Sequence, residues 1–225
     1  MKVEQRVFRE KIEFKPDLNY LLYLPTDYQK DPHKKWPLML FLHGSEERGD
    51  EVTKVKRNGL PKIIEQGMEL PFVVVAPQCP KNKVWDLLIR ELDALLHYIE
   101  KKYAIDHKRV CLTGLSMGGT GCWHFSVLYP DRFAAIIPIC GSTSGMLGFP
   151  ERAGVLKHVP IWVFHGQKDD VVPVNESRML VNTLRQCKGK VKFTIYSNAY
   201  HDSWSRTYKN KKLYEWLLDQ ISKSS

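Results

Sequence analysis

The chain has 225 residues, 43% hydrophobic and 26% charged, with 14 glycines and 13 prolines. Those are globular proportions, which exclude disordered, collagen-like and fibrous readings. Lys and Arg number 34 against 25 Asp and Glu, a net charge of +9, but the basic residues are dispersed and form no finger, ribonucleoprotein motif or basic reader helix, which argues against nucleic acid as a partner.

The first residues, MKVEQRVFREKIEF, scatter charge and show no apolar core of a signal peptide. Residues 5–13 alternate loosely, and residues 20–24 form a second short strand. Together they predict an antiparallel hairpin at a sheet edge. After a polar turn at 29–36 comes PLMLFLHG, an apolar run of the kind found in strands covered on both faces. Similar runs follow at 71–80, 109–114, 133–141 and 160–166, with a more alternating one at 191–197. None approaches the roughly 18 apolar residues of a membrane-spanning helix.

Helical patterns fill the gaps. Residues 86–103 place Leu88, Leu92, Leu95, Leu96 and Ile99 on one stripe of a charged helix. Residues 117–129 are small and apolar and end before Pro130. Residues 175–187 turn Met179, Leu180 and Leu184 inward, and residues 210–221 do the same with Leu213, Trp216, Leu217 and Ile221. Strands alternating with helices predict an α/β protein with a mostly parallel, doubly wound sheet of about eight strands. No linker, repeat or low-complexity run divides the chain, so one domain over 1–225 is expected. The stretch 141–159 alone has no assigned element. Cys79, Cys111, Cys122, Cys140 and Cys187 make an odd count without a CxxC pair, and with no visible leader they predict a reducing, cytoplasmic location.

The chemistry centres on Gly114-Leu-Ser116-Met-Gly118, a GxSxG motif between a strand-like and a helix-like segment. That context is what a nucleophile elbow requires: glycines two residues either side allow a turn tight enough to lift Ser116 above the sheet. A serine nucleophile needs a base, and the base needs an orienting acid. After the strand PIWVFHG come Asp169 and Asp170, two candidate acids; after VKFTIYS comes His201. The order Ser, acid, His passes, and all three follow predicted strands. His33, His97, His107 and His158 read as solvated, His124 as part of the helix after Ser116, and His43 and His165 as packing or loop-bracing residues. The oxyanion of acyl transfer needs N–H donors. Met117, next to the nucleophile, supplies one, and Ser45, in the loop 43–49, is the natural second.

With these motifs in place, the sequence resembles the α/β-hydrolase superfamily, and within it the small carboxylesterase, phospholipase and dienelactone-hydrolase-like enzymes. The likeness runs from LMLFLHG through APQCP, GLSMGG, YPDRFAAIIPICG, WVFHGQKDDVVP and YHDSW to LYEWLL. It implies the α/β-hydrolase fold, with Ser116 as nucleophile, Asp169 rather than Asp170 as acid, and His201 as base. It also implies Ser45 and Met117 as oxyanion donors, and Trp85 and Trp204 near the substrate pocket. One departure is visible: the related loop commonly reads His-Gly-x-Gly-Glu-Arg-Gly, whereas Glu46 stands here at the second glycine. The expected activity is hydrolysis of short-chain or aromatic-acid esters, including acetyl or feruloyl esters of carbohydrate, by a monomer or homodimer without metal or organic cofactor. Serine peptidase, or acyl-protein thioesterase and lysophospholipase chemistry, is the alternative use of the same three residues.

Overall fold

The alternating pattern builds one twisted sheet between two layers of helix. The computed structural model describes residues 14–222. In chain order its elements are β1 Tyr20–Tyr23, β2 Trp36–Leu42, α1 Gly59–Glu65, β3 Val73–Pro77, α2 Ile89–Lys102, β4 Ile105–Leu115, α3 Met117–Leu128, β5 Ala135–Ile139, β6 Ile161–Gly166, α4 Asn175–Gln186, β7 Val191–Tyr196, α5 Trp204–Tyr208 and α6 Lys211–Ser222. The sheet order is β1-β3-β2-β4-β5-β6-β7. β1 runs antiparallel to β3, and every other pairing is parallel. This is the α/β-hydrolase arrangement expected from the sequence. The strand expected over 5–13 lies outside the described residues, and seven strands stand among the described ones.

The apolar runs are continuous because both sheet faces are covered. In β2, Trp36, Leu38, Leu40 and Leu42 point into a core built with α2, α3 and α4. Met39 and Phe41, one step out of phase, enter a second core with α1 and α6. All seven residues of β2 are buried, and each large side chain removed from water contributes roughly 1.5–3 kcal/mol. On α2, Leu92, Leu95, Leu96 and Ile99 are buried as the stripe predicts. On α4, Leu180, Val181 and Leu184 face inward, but Met179 is 46% exposed, against expectation. Its neighbour Leu180 takes the buried position, and a helix turns by about 100° per residue.

Two short helices, α1 and α5, go unmarked by any apolar repeat in the sequence. The stretch 141–159 holds a 3-10 helix at Glu151–Leu156. Because β2, β4, β6 and β7 run in one direction, the segments that follow them emerge at the same sheet edge. Those segments carry Ser45, Ser116, Asp169 and His201.

Candidate active site

The elbow begins with glycines that have no room for a side chain. A Cβ on Gly114 would meet the backbone of Gly118, and one on Gly118 would meet the carbonyl of Leu42. With those positions bare, α3 packs directly onto the ends of β2 and β4. Ser116 sits between them at φ 52°, ψ −117°, a conformation an L-residue adopts only under tertiary constraint. Its N–H is held by the carbonyl of Ile139 at 2.9 Å, and its own carbonyl accepts the Thr120 N–H at 3.0 Å. The strain turns Oγ away from the sheet.

The loops that carry Asp169 and His201 are tied to each other by backbone. Lys168 N–H donates to the Ala199 carbonyl and Gln167 N–H to that of Tyr196, both at 2.9 Å. A Cβ on Gly166 would strike the Tyr200 carbonyl, so glycine lets the loops close. Ser116 Oγ then lies 2.9 Å from His201 Nε2, and His201 Nδ1 lies 2.8 Å from Asp169 Oδ2 and 3.0 Å from Oδ1. With only a carboxylate beside Nδ1, that nitrogen carries the proton, and Nε2 is left to accept from the serine hydroxyl.

Asp169 is fixed from several sides. Its side chain is fully buried. Oδ1 accepts the N–H groups of Val171 at 3.0 Å and Val172 at 2.8 Å, and Oδ2 lies 3.1 Å from His165 Nε2. His165 Nε2 also meets the Val172 carbonyl at 2.8 Å, so it is a donor, and Nδ1 accepts from Ser177 Oγ at 2.7 Å. Burial lowers the His165 pKa and keeps the ring neutral. It therefore braces the acid, as a loop-bracing histidine should. Asp170, the other candidate acid, is exposed. His33, His97, His107 and His158 are exposed, and His124 pairs loosely with Asp86 at 3.6 Å.

The loop after β2 forms the opposite wall. Ser45–Glu47 is a turn of 3-10 helix, so Glu46 needs no left-handed conformation and the departure from the common loop motif is accommodated. His43 is buried: Nδ1–H donates to the Gly44 carbonyl at 2.6 Å, and Nε2 accepts the Cys79 N–H at 2.9 Å. Burial pushes its pKa down to about 4. Gln78 Nε2 bonds the carbonyls of Glu47 and Glu51, both at 2.9 Å.

Ser45 lines a cleft of about 190 Å³ with Gly44, Glu47, Asn58, Ser116, His201 and Trp204. Met117 begins α3, its N–H directly after the serine. Of the two tryptophans, Trp204 stands in the cleft with its ring edge-on to His201 at 5.2 Å. Trp85 does not reach it. That indole is fully buried, bonds the His43 carbonyl through Nε1 at 2.9 Å and supports the loop from below. Loop residues that face the core carry no periodic signal, so Glu47 and Asn58 were not identifiable as wall or support.

One cluster among the described residues has metal-ligand composition: Cys140, Asp169 and His201, with ligand atoms within 4.8 Å of one another. Its donors are committed elsewhere. His201 and Asp169 share a hydrogen bond, and burial pushes the Cys140 thiol up to about 12, so it keeps its proton.

The family model described as Phospholipase/Carboxylesterase matches residues 81–215. A solved thermostable esterase superposes with a TM-score of 0.74 at 36% identity, covering 90% of this chain and 59% of that one. A bifunctional acetylxylan esterase/xylanase from Neocallimastix patriciarum is 32% identical over 106 residues, which is 45% of this chain and 15% of that protein. An uncharacterized secreted protein of Arthroderma benhamiae is 27% identical over 206 residues, 75% of this chain and 22% of its own. The lasso peptide isopeptidase AtxE2 of Asticcacaulis excentricus is 28% identical over 172 residues, 60% and 24% respectively. The chain thus spans less than a quarter of the length of each of these three relatives. The secreted relative overturns the cytoplasmic expectation. The cysteines that prompted it are a poor guide, since four are buried, with burial raising the thiols of Cys79 and Cys111 to about 12, and only Cys187 is exposed.

Proposed function

The chain belongs to the phospholipase/carboxylesterase family, and on that premise we propose that it is a serine carboxylesterase acting on short-chain or aromatic-acid esters, with carbohydrate acetates and ferulates as the favoured class. The observation that carries the reading is the continuous hydrogen-bonded line from Ser116 Oγ through His201 to Asp169. In the first half-reaction Ser116 Oγ attacks the ester carbonyl while its proton passes to His201 Nε2. The N–H groups of Ser45 and Met117 receive the oxyanion. The intermediate collapses, the C–O bond to the alcohol breaks, and His201 gives its proton to the departing oxygen. Water then loses a proton to His201 and attacks the acyl-enzyme, and collapse of the second intermediate returns that proton to Ser116 as the acid leaves. Asp169 keeps the Nδ1–H tautomer throughout and stabilises the imidazolium.

The small open cleft favours short acyl groups over long chains. The acetylxylan esterase relative supports carbohydrate acetates, and the secreted relative supports action outside the cell. A second reading, cleavage of an isopeptide or peptide amide, is favoured by the isopeptidase relative; rates on an amide and its matched ester separate the two, and the esterase reading expects the ester to be strongly preferred. The direct test is turnover of p-nitrophenyl acetate. Ser116→Ala and His201→Ala should each lose at least about a thousandfold in kcat, and near wild-type turnover by either would refute the assignment.

A further inference from the structure

Among the residues lining the cleft, Glu47 is the buried acid that the hydrolytic mechanism leaves unused. It is 2% exposed, and among the described residues no Lys or Arg pairs with it. Oε1 accepts a hydrogen bond from Asn58 Nδ2 at 2.7 Å. Oε2 has no such donor: its nearest ring nitrogen, His43 Nδ1, is 3.9 Å away and gives its proton to the Gly44 carbonyl. A buried carboxylate with spare acceptor capacity is costly to keep. A glutamine would serve Asn58 equally well, so bracing the loop does not by itself call for a charge.

Glu47 lines the same cleft as the nucleophile. A point where Gly44 would carry a Cβ lies 2.9 Å from Leu115 Cδ1, 3.4 Å from Glu47 Oε2 and 3.8 Å from Ser116 Cβ. Glycine at 44 thus lets Leu115, the acid and the serine converge at the floor of the cleft. Across the same cleft stands Trp204, whose Nε1 is buried without a partner. An indole and a carboxylate lining one cleft are a combination suited to a polyol ring, with C–H groups against the aromatic surface and a hydroxyl donating to the acid. A cationic ligand would meet the same acid, but a chain of net charge +9 repels it at long range.

Resting on the esterase reading, we propose that Glu47 is a specificity-determining residue: it accepts a hydrogen bond from a hydroxyl of a sugar-like alcohol whose ester Ser116 attacks. The test compares kcat/KM of wild type and Glu47→Gln on p-nitrophenyl acetate, whose alcohol carries no further hydroxyl, and on a monoacetylated methyl xyloside. Glutamine preserves shape and the bond from Asn58 but weakens the acceptor. The xyloside ester should lose about tenfold more than the nitrophenyl ester, chiefly in KM. Parallel losses on both esters, or none on either, would overturn the proposal and leave Glu47 a loop brace.

If Glu47→Gln does not fold, the wild-type protein decides. Methyl xyloside should inhibit p-nitrophenyl acetate hydrolysis competitively, and removal of one particular hydroxyl should weaken inhibition about tenfold. Equal inhibition by every deoxy analogue, or none by the parent sugar, would overturn it. Wild-type protein inert toward p-nitrophenyl acetate would remove the esterase reading and this inference together, and is thereby distinguished from failure of the inference alone.

Discussion

His43 and His201 both follow strands at the same edge of the sheet, yet their surroundings give them opposite duties. His201 has a carboxylate on Nδ1 and a serine hydroxyl on Nε2, so it is equipped to take and return a proton. His43 is sealed between the Gly44 carbonyl and the Cys79 N–H, and its pKa falls from 6.5 to about 4 because burial penalises the charged ring. Between those values the unfolded chain binds a proton that the folded chain refuses. Its contribution is therefore complete above about pH 6.5 and is lost as pH falls toward 4. From pH 7 to 4.5 the loss is about 2–3 kcal/mol, with burial of His165 acting in the same direction. Urea unfolding should show a shallower fall in stability over that range for His43→Gln than for wild type; identical slopes would contradict the assignment. Ser116, Asp169 and His201 were legible because acyl transfer demands those residue types in a recognisable order. Glu47 and Trp85 were not, because neither lies on a periodic element whose phase reveals which way it faces.

The strand–turn–helix formed by β4, Ser116 and α3 depends on contact between backbones. Gly118 lies so close to the end of β2 that a methyl group there would collide with the Leu42 carbonyl and come within 2.8 Å of the His43 carbonyl. Those atoms belong to a central strand and the base of the cleft, so they cannot yield as a flexible side chain would. Gly118→Ala should therefore cost about 3 kcal/mol or more in unfolding free energy and abolish ester turnover, because α3 must move off β2 and take Ser116 with it. A stable, active Gly118→Ala protein would show that the close approach is not required. Longer elements were readable for a related reason: α2 and α6 bury whole stripes, and β2 is apolar throughout because two layers cover it. α1 and α5 escaped detection, since seven and five residues give no repeat to read. The misplaced Met179 shows the limit of apolarity as a signal, because helix phase, not residue type, assigns the inward face.

At the scale of the molecule, the alternation of strands and helices implied a parallel, doubly wound sheet. The pairing of β1 with β3 was not legible, because strand neighbours depend on long-range packing that leaves no local mark. Sheet direction gathers the site at one edge: four parallel strands deliver the loops that carry Ser45, Ser116, Asp169 and His201 to one side. The net charge of +9 acts at long range on charged partners and contributes little to attack on a neutral ester. Whether this edge makes Ser116 a nucleophile through His201 is decided by reaction with a fluorophosphonate followed by peptide mass spectrometry. A single adduct on Ser116 is expected in wild type and none in His201→Ala. Label on a different residue, or esterase turnover in a protein whose Ser116 stays unmodified, would contradict it.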